Sequence, residues 1–262
     1  MAANPESRSL AVFCDFENVA LGVREARYAQ FDMDKVLERL LAKGSIVVKK
    51  AYCDWERYKE FKATMHAAAF ELIEIPHLRQ SGKNSADIRM VVDALDLCYT
   101  KSHVDTFVIV SGDSDFSPLV SKLRENAKTV IGVGVKNSSS DLLIANCDEF
   151  IYYDDLVRQD EQKRRAAKKR REAAPPGEDK KQEAFDLLLE TLHALIAERG
   201  EGERIWGSMV KQALKRRNPG FNESYYGFRA FSDLLEEAEK KGLIRLEPDE
   251  KSGGYVVRTT QA

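Results

Sequence analysis

The chain has 262 residues, of which 43% are apolar and 32% are charged, and its formal net charge at pH 7 is -2. A chain of this length can bury a sizeable core in one large or two modest domains. The near-neutral charge excludes a uniformly basic nucleic-acid coat protein, so any basic surface has to be local.

The sequence also disfavours membrane-spanning and disulfide-bonded classes. No apolar stretch approaches the roughly 20 residues that a transmembrane helix needs, and the first residues lack the pattern of a signal peptide. We therefore expect a soluble chain that acts in the cytoplasm and has no membrane partner. Four cysteines lie far apart in apolar segments, without a CxxC pair, so we expect buried, reduced thiols. They are Cys14, Cys53, Cys98 and Cys147.

Short apolar runs alternate with segments of helical spacing from residue 10 to about residue 153. The runs are rich in β-branched residues, as in strands that are buried on both faces. The predicted strands are residues 10–14, 46–53, 70–75, 107–110, 129–135 and 148–153. Such alternation predicts an α/β domain with a parallel sheet sandwiched by helices.

The most informative stretch is residues 106–120. Its apolar strand ends at Ser111-Gly112, and Asp113 and Asp115 follow just before residues at helical spacing. In an open α/β sheet, ligands bind in the crevice beyond the carboxyl ends of the strands. Two such close carboxylates repel each other unless protons or a cation intervene, and hard oxygen ligands suit Mg²⁺ or Mn²⁺. The alternative is that Asp113 or Ser114 only caps the following helix.

The strand at residues 10–14 also ends in an acid, Asp15. Asn18 either caps the next element or holds Asp15 and a metal-bound water in place. Glu17 faces the other way, and we expect it at the surface.

A predicted helix begins at Asp87, which either complements the helix dipole or is a third carboxylate in the crevice. We expect Asp93 and Asp96, on the face opposite the core, to be mostly solvated. The predicted core face consists of Ile88, Val91, Val92, Leu95 and Tyr99.

Two loops carry groups that can contact phosphates. Residues 77–85 are polar and include Arg79 and Lys83, although a solvated connector explains this composition equally well. The serines at 138–140 precede Asp141 and apolar spacing, which predicts a capped helix N-terminus that also suits an anion.

The composition changes sharply between residues 158 and 181. A basic run at 163–171 has no apolar stripe, and Pro175-Pro-Gly177 follows it. This segment is either a solvated helical extension or a disordered linker, and its charge can attract nucleic acid. Beyond it, three helical patterns and a hairpin pattern outline a small winged helix-turn-helix domain, a module that binds DNA, RNA or proteins.

Five motifs occur in a fixed order in the N-terminal region. They are Phe13-Cys-Asp15-Phe-Glu-Asn18, Lys83-Asn-Ser-Ala-Asp87, Ser111-Gly-Asp-Ser-Asp-Phe116, Val130-Ile-Gly-Val-Gly134 and Cys147-Asp-Glu-Phe150. Together they resemble the NYN domain family, of the LabA-like branch, a relative of the PIN-domain nucleases. The sequence departs from the family at Ala127, where a glycine often precedes the strand, and this departure concerns a turn rather than the site.

The resemblance implies a PIN-like fold and metal-dependent RNA cleavage, with carboxylates that gather one or two Mg²⁺ or Mn²⁺ ions. Carried over by position, the catalytic and metal-binding roles fall on Asp15, Asp87, Asp113 and Asp115. The supporting, substrate-binding roles fall on Asn18, Ser111 and Ser114. We also expect contacts with the RNA backbone from Arg79, Lys83, Ser138, Ser139 and Ser140.

The C-terminal segment has Trp206-Gly, Tyr225-Tyr-Gly-Phe228 and Gly242-Leu-Ile at intervals that are similar to those of the LOTUS domain, also called OST-HTH. This resemblance implies contacts with RNA or with proteins. We therefore expect a nuclease domain at residues 9–156, a basic linker at 157–181 and a winged-helix domain at 182–258.

The sequence thus predicts a metal-dependent ribonuclease or RNA-processing factor whose winged-helix domain recruits RNA or a protein partner. It is compatible with a homo-oligomer. One alternative is a non-catalytic RNA-binding regulatory adaptor that uses the same acidic pocket for structure or for a small ligand. Another is a hydrolase that acts on nucleotides, because acidic turns after strands also serve such enzymes.

Overall fold

The computed structural model describes residues 8–28, 31–75, 85–162, 179–200, 202–249 and 254–260. The chain divides into two compact units, and the main boundary between them falls between Glu161 and Gln162. The domain and linker limits given above stay predictions. Within the described ranges, no helix has both the length and the apolar composition that crossing a membrane requires. Arg79, Lys83, the basic run at 163–171 and the turn at 175–177 lie outside the described residues.

The N-terminal unit is built on one six-stranded sheet. Its strands are β1 (Arg8–Asp15), β2 (Gly44–Cys53), β3 (Glu71–Glu74), β4 (Thr106–Val110), β5 (Thr129–Gly134) and β6 (Glu149–Tyr152). They lie in the order β3-β2-β1-β4-β5-β6, and every neighbouring pair is parallel. This confirms the predicted α/β class and the parallel sheet.

Helices cover both faces of this sheet. They are α1 (Phe16–Glu25), α2 (Met33–Lys43), α3 (Lys59–Ala67), α4 (Ser85–Thr100), α5 (Ser117–Glu125), α6 (Asp141–Asn146) and α7 (residues 153–162). Alternate side chains of β1 are buried on opposite faces, Val12 and Cys14 with α1, α2, α3 and α7, and Ala11 and Phe13 with α4, α5 and α6. The predicted sandwich is therefore confirmed, although the sequence did not identify α1.

Two local differences from expectation have local causes. The sequence pattern predicts a helix from Trp55 to Ala69, but helix α3 begins at Lys59. Trp55 instead donates its backbone N–H to Glu74 Oε1 (3.0 Å) and its indole N–H to Ile73 O (3.2 Å). These bonds fix Trp55 against β3 in place of a first helical turn.

Ala127, in the turn before β5, has φ of 56°, in the left-handed region that favours glycine. The departure from the family pattern is therefore confined to this turn.

The core face of α4 differs from the predicted one. Ile88, Val92 and Tyr99 are 64%, 56% and 63% exposed, so their assignment to the core was wrong. The residues that α4 buries instead are Met90, Ala94 and Cys98. The small side chains at positions 94 and 98 let the helix approach the sheet closely, whereas the sequence pattern favoured the larger apolar residues. An apolar strip of α4 is consequently left exposed.

Asp93 is not solvated, contrary to the prediction, whereas Asp96 is exposed. The Asp93 carboxylate accepts hydrogen bonds from Tyr52 Oη (2.8 Å), Lys50 Nζ (3.2 Å) and Arg89 Nε (3.1 Å). Burial opposes the ionisation of Asp93, but the bonds from Tyr52 and Lys50 outweigh it and hold its pKa below the ordinary value. These two bonds fasten α4 to β2.

The described residues of the C-terminal unit form three α-helices and a hairpin. Its elements are α8 (Asp179–Arg199), α9 (Gly207–Arg217), α10 (Phe231–Lys240), β7 (Ile244–Asp249) and β8 (Gly254–Thr259). Strands β7 and β8 are antiparallel, and Trp206 forms an isolated antiparallel bridge with Val256. Phe185 and Leu188 of α8 are fully buried in the core of this unit. The order of elements confirms the winged helix-turn-helix outline.

Replacing Asp93 with Ala should lower the free energy of unfolding by about 1–3 kcal/mol, because it leaves the buried hydroxyl of Tyr52 without its acceptor. Urea denaturation of the parent and of the variant measures the difference. The matched control is Asp96→Ala on the exposed side of the same helix, which should change stability by less than about 0.5 kcal/mol. Equally small effects of the two substitutions would contradict the buried role of Asp93.

Candidate functional site

The carboxyl ends of β1 and β4 meet in the middle of the sheet. Strands β2 and β3 lie on one side of β1, and strands β4, β5 and β6 lie on the other. Strand order therefore reverses between β1 and β4, which is where open α/β sheets bind ligands. Cys14 pairs with Val110 across these strands. The next residues, Asp15 and Ser111, consequently lie side by side.

Asp15 is buried and held by two hydrogen bonds. Ser111 Oγ donates to Asp15 Oδ2 at 3.0 Å, and the Asn18 backbone N–H donates to Asp15 Oδ1 at 3.4 Å. The second bond makes Asp15 the N-cap of α1. Asp15 is only 7% exposed, so the two bonds orient a carboxyl group that has little contact with water.

The turn after β4 is joined to α1 through the Asn18 side chain. The Gly112 N–H donates to Asn18 Oδ1 at 2.9 Å, and the Asp113 N–H donates to Ser111 Oγ at 3.2 Å. Asn18 thus links the N-terminus of α1 to this turn through its side chain, rather than capping α1.

Asp113 caps the short 3-10 turn Ser114–Phe116, because its Oδ1 accepts a hydrogen bond from the Asp115 N–H at 3.0 Å. Asp113 therefore does act as an N-cap, and its part in metal binding stays a prediction. Asp115 is exposed, and Ser114 is half-buried within the turn.

The four predicted acids act on one another electrostatically. Burial raises the pKa of Asp15 to about 7, the charges of Asp87 and Asp113 add to the increase, and the two hydrogen bonds to its carboxylate oppose it. Burial also raises the pKa of Asp87, and the charges of Asp113 and Asp115 add to this effect. We call these residues, Asp15, Asp87, Asp113 and Asp115, the acid cluster.

A divalent cation fits the chemistry of the acid cluster. Its donors are carboxylate oxygens, which Mg²⁺ and Mn²⁺ prefer, and a cation relieves the repulsion that contributes to the raised pKa values of Asp15 and Asp87. Across the described ranges, however, no three His, Cys, Asp or Glu residues are already grouped as they would be around an ion. The structure therefore supplies suitable donors without a preassembled ligand set.

The three serines before α6 make contacts within the protein. Ser139 Oγ donates to Val135 O at 2.7 Å, and Ser140 Oγ accepts a hydrogen bond from the Leu142 N–H at 3.2 Å as the N-cap of α6. The predicted capped helix N-terminus is therefore present. Contacts of Ser138 and Ser139 with RNA stay a prediction.

Two contributors to the site were not identified from the sequence. A Cβ atom at Gly112 would lie 2.4 Å from Ser138 O, so the glycine lets the loop after β5 pack directly on the turn after β4. Glu17 is partly exposed, in agreement with the expected surface position, and its Oε1 pairs with Arg57 Nη1 at 3.1 Å. Burial raises the pKa of Asp87 most, and the charges of Asp113 and Asp115 come next. The charge of Glu17 makes a smaller contribution in the same direction. Its place in the first turn of α1 explains this proximity.

Gly112→Ala should destabilise the protein by about 1–3 kcal/mol, because the added Cβ meets backbone atoms that cannot move independently of the loop. Thermal or urea denaturation measures the change. The control is Gly202→Ala, where an added Cβ meets nothing within 4 Å. If the two variants were equally stable, the close packing of this loop would be contradicted.

Asp15→Asn should stabilise the metal-free protein in a pH-dependent manner. The pKa of Asp15 rises on folding from 3.8 to about 7, so its contribution to stability is fully present below about pH 4 and is lost as the pH rises through about 7. Because Asn has no charge to bury, the variant should exceed the parent in free energy of unfolding by up to ~4 kcal/mol above pH 7.

The pH test uses denaturant titrations in EDTA between about pH 4 and pH 8. The exposed substitution Asp96→Asn is the control and should not reproduce the trend. A difference between Asp15→Asn and the parent that stayed constant over this range would argue against a buried carboxylate with a raised pKa.

Comparison with known proteins agrees with this architecture. The family model described as NYN domain matches residues 9–154, and the OST-HTH/LOTUS domain model matches residues 185–254. An uncharacterized protein of Methanocaldococcus jannaschii is 30% identical over 112 residues, and the match spans 43% of each chain. The crystal structure of a protein of unknown function from Vibrio parahaemolyticus is similar with a TM-score of 0.52 and 27% identity, covering 59% of this chain and 98% of that one. Because the NYN match extends over more than half of the sequence, the chain belongs to the NYN domain family, within the PIN-like nuclease superfamily, and carries a C-terminal OST-HTH/LOTUS domain.

Proposed function

We propose that the chain is a metal-dependent ribonuclease that cleaves phosphodiester bonds of RNA at the acid cluster. The observation that carries the proposal is the buried Asp15 at the reversal of strand order, where the charges of Asp87 and Asp113 oppose its ionisation. A cation bound at this point would favour the ionised form of all three groups. The NYN domain supports cleavage as the reaction, and the OST-HTH/LOTUS domain supports RNA as the substrate.

Mg²⁺ or Mn²⁺ would be held by the acid cluster. Such an ion, when bound, lowers the pKa of a coordinated water and stabilises the charge that develops on the phosphate in the transition state. The chain orients the ligands: Ser111 Oγ and the Asn18 N–H fix the two oxygens of Asp15, and the Asp115 N–H fixes Oδ1 of Asp113. Carboxylates that are held in this way lose less conformational freedom when they bind an ion.

The remaining predicted groups would position the RNA and its partners. Arg79 and Lys83, with Ser138 and Ser139, would contact the RNA backbone, and the basic run at 163–171 would attract it over a longer range. The C-terminal domain would recruit RNA or a protein partner, and a homo-oligomer is compatible with this scheme. We place the activity in the cytoplasm, where the four free cysteines would stay reduced.

A non-catalytic RNA-binding regulatory adaptor is the second candidate, and two observations favour it. Asp15 and Asp113 both serve as N-caps, which is a sufficient structural reason for an acid at each position. Moreover, the described residues contain no preassembled group of three metal ligands.

Replacing any one of Asp15, Asp113 and Asp115 with Asn should reduce RNA cleavage by about 10²–10³-fold, the loss typical of one group that stabilises the transition state. Folding should be retained, because Asn is also a good cap. The measurement is cleavage of structured and unstructured RNAs with Mn²⁺ and with EDTA. Asp141→Asn, an exposed acid outside the cluster, is the control and should leave cleavage unchanged.

Melting temperatures of the same proteins separate the two candidates. Mn²⁺ should raise the melting temperature of the parent by preferential binding to the folded state, and it should do so less for the three cluster variants. Full cleavage by all three variants would rule out catalysis at the cluster. An Mn²⁺-stabilised parent that cleaved no RNA would support the adaptor instead.

A further inference from the structure

A groove of about 710 Å³ lies next to the acid cluster, between α4 and the segment that contains the 3-10 turn and α5. We call it the α4–α5 groove. Its walls include the apolar side chains of Ile88, Val92, Pro118 and Leu142, and its edge includes Asp87 and Asp115. Because the same two acids belong to the acid cluster, the groove and the cluster form one continuous surface.

The apolar walls of the groove are open to solvent. Ile88, Val92 and Leu142 are 64%, 56% and 58% exposed, although large apolar side chains are stabilised by burial. Exposed apolar surface that is concentrated in one place marks a binding site more often than scattered single residues do. The exposed apolar strip of α4 is therefore a candidate binding surface for a ligand.

The charge of the groove restricts what can enter it. The described residues that line it include two carboxylates, Asp87 and Asp115, which disfavour an anionic group next to them and favour an uncharged one. Ser117 also lines it, is 6% exposed, and has an Oγ atom that is buried without a hydrogen-bond partner. A buried hydroxyl of this kind is costly unless a ligand or a rearrangement satisfies it.

We propose that the α4–α5 groove is a nucleobase-binding subsite, which takes the base of a nucleotide adjacent to the phosphodiester at the acid cluster. This inference rests on the proposed action on RNA. A base is uncharged, planar and largely apolar on its faces, so it matches the walls formed by Ile88, Val92 and Leu142. Its ring edge carries donors and acceptors that the exposed hydroxyl of Ser121 can meet. The volume is within the range of small-molecule sites.

A second copy of this chain fits the groove less well. In a symmetric dimer the same patch faces itself, so Asp87 and Asp115 of each copy would be brought together across the interface. Like charges placed opposite each other oppose such an association. A base brings no charge of its own, so the base itself meets no such repulsion in the groove.

The test uses the full-length Asp15→Asn protein, which should cleave RNA about 10²–10³-fold more slowly than the parent, in the presence of Mg²⁺. Methyl NMR spectra are recorded during titration with a single-stranded RNA hexanucleotide and with a hexamer of abasic ribose phosphates. The intact RNA should shift the methyl signals of Ile88, Val92 and Leu142. The signals of Leu21 and Val47, which are 44% and 47% exposed outside the groove, should stay in place. The abasic hexamer should shift neither set.

Substitutions then measure the contribution of the groove. Leu142→Ala should weaken the RNA affinity reported by the Ile88 methyl groups about fivefold, because it removes apolar contact area from the ligand. The matched control, Leu21→Ala, removes another exposed leucine, which lies outside the groove, and should leave this affinity unchanged. The salt dependence of binding should be the same for both variants, since no phosphate contact is lost.

Three results would overturn the proposal. They are equal shifts with intact and abasic hexamers, equal affinities of the two leucine variants, and a dimer of the parent that Leu142→Ala dissociates while the RNA affinity is unchanged. The NMR readout does not depend on cleavage. RNA cleavage by the parent without base-dependent shifts would therefore reject only the subsite, whereas base-dependent shifts without cleavage would reject only the nuclease.

Discussion

The buried carboxyl group of Asp15 is the feature on which the candidate site depends. Parallel pairing of β1 with β4 brings the ends of both strands to one point, and Ser111 Oγ contacts Asp15 there at 3.0 Å. Burial of an ionised carboxylate is unfavourable unless hydrogen bonds, a proton or a cation compensate for it. The raised pKa of Asp15 shows that its two hydrogen bonds compensate only in part. A bound cation can supply the rest of the compensation for burying the ionised carboxylate.

Much of this arrangement could be predicted from the sequence, because its determinants are local. Uninterrupted β-branched runs define the strands, and the acids at Asp15 and Asp113 directly follow two of them. Once the sheet is parallel, all carboxyl ends lie at one edge, so acids that are about 100 residues apart in the chain converge there. The fold class and the meeting of Asp15 with the turn after β4 both follow from this geometry.

The features that the sequence did not reveal depend on tertiary contacts. The sequence around Asp93 does not indicate that it accepts hydrogen bonds from Tyr52 and Lys50, because those donors lie on β2, which is far from Asp93 in the sequence. The rotation of α4 places Met90, Ala94 and Cys98 in the core, and periodicity alone does not distinguish this face from the neighbouring apolar one. The packing of Gly112 against the loop after β5 is likewise a contact between two separate connections. Each of these contacts nevertheless positions part of the site or of the adjoining groove.

Helix capping and cation binding are compatible roles for the same aspartates. A cap uses a hydrogen bond from a backbone N–H to one carboxylate oxygen, and each oxygen of an ionised carboxylate can accept more than one partner. The N–H groups of Asn18 and Asp115 thus hold Asp15 and Asp113 in place, while the dipole of α1 favours negative charge at Asp15. The bonds that satisfy the helix ends also keep the carboxylates close enough to repel each other. Capping is therefore part of what prepares this edge of the sheet for a cation.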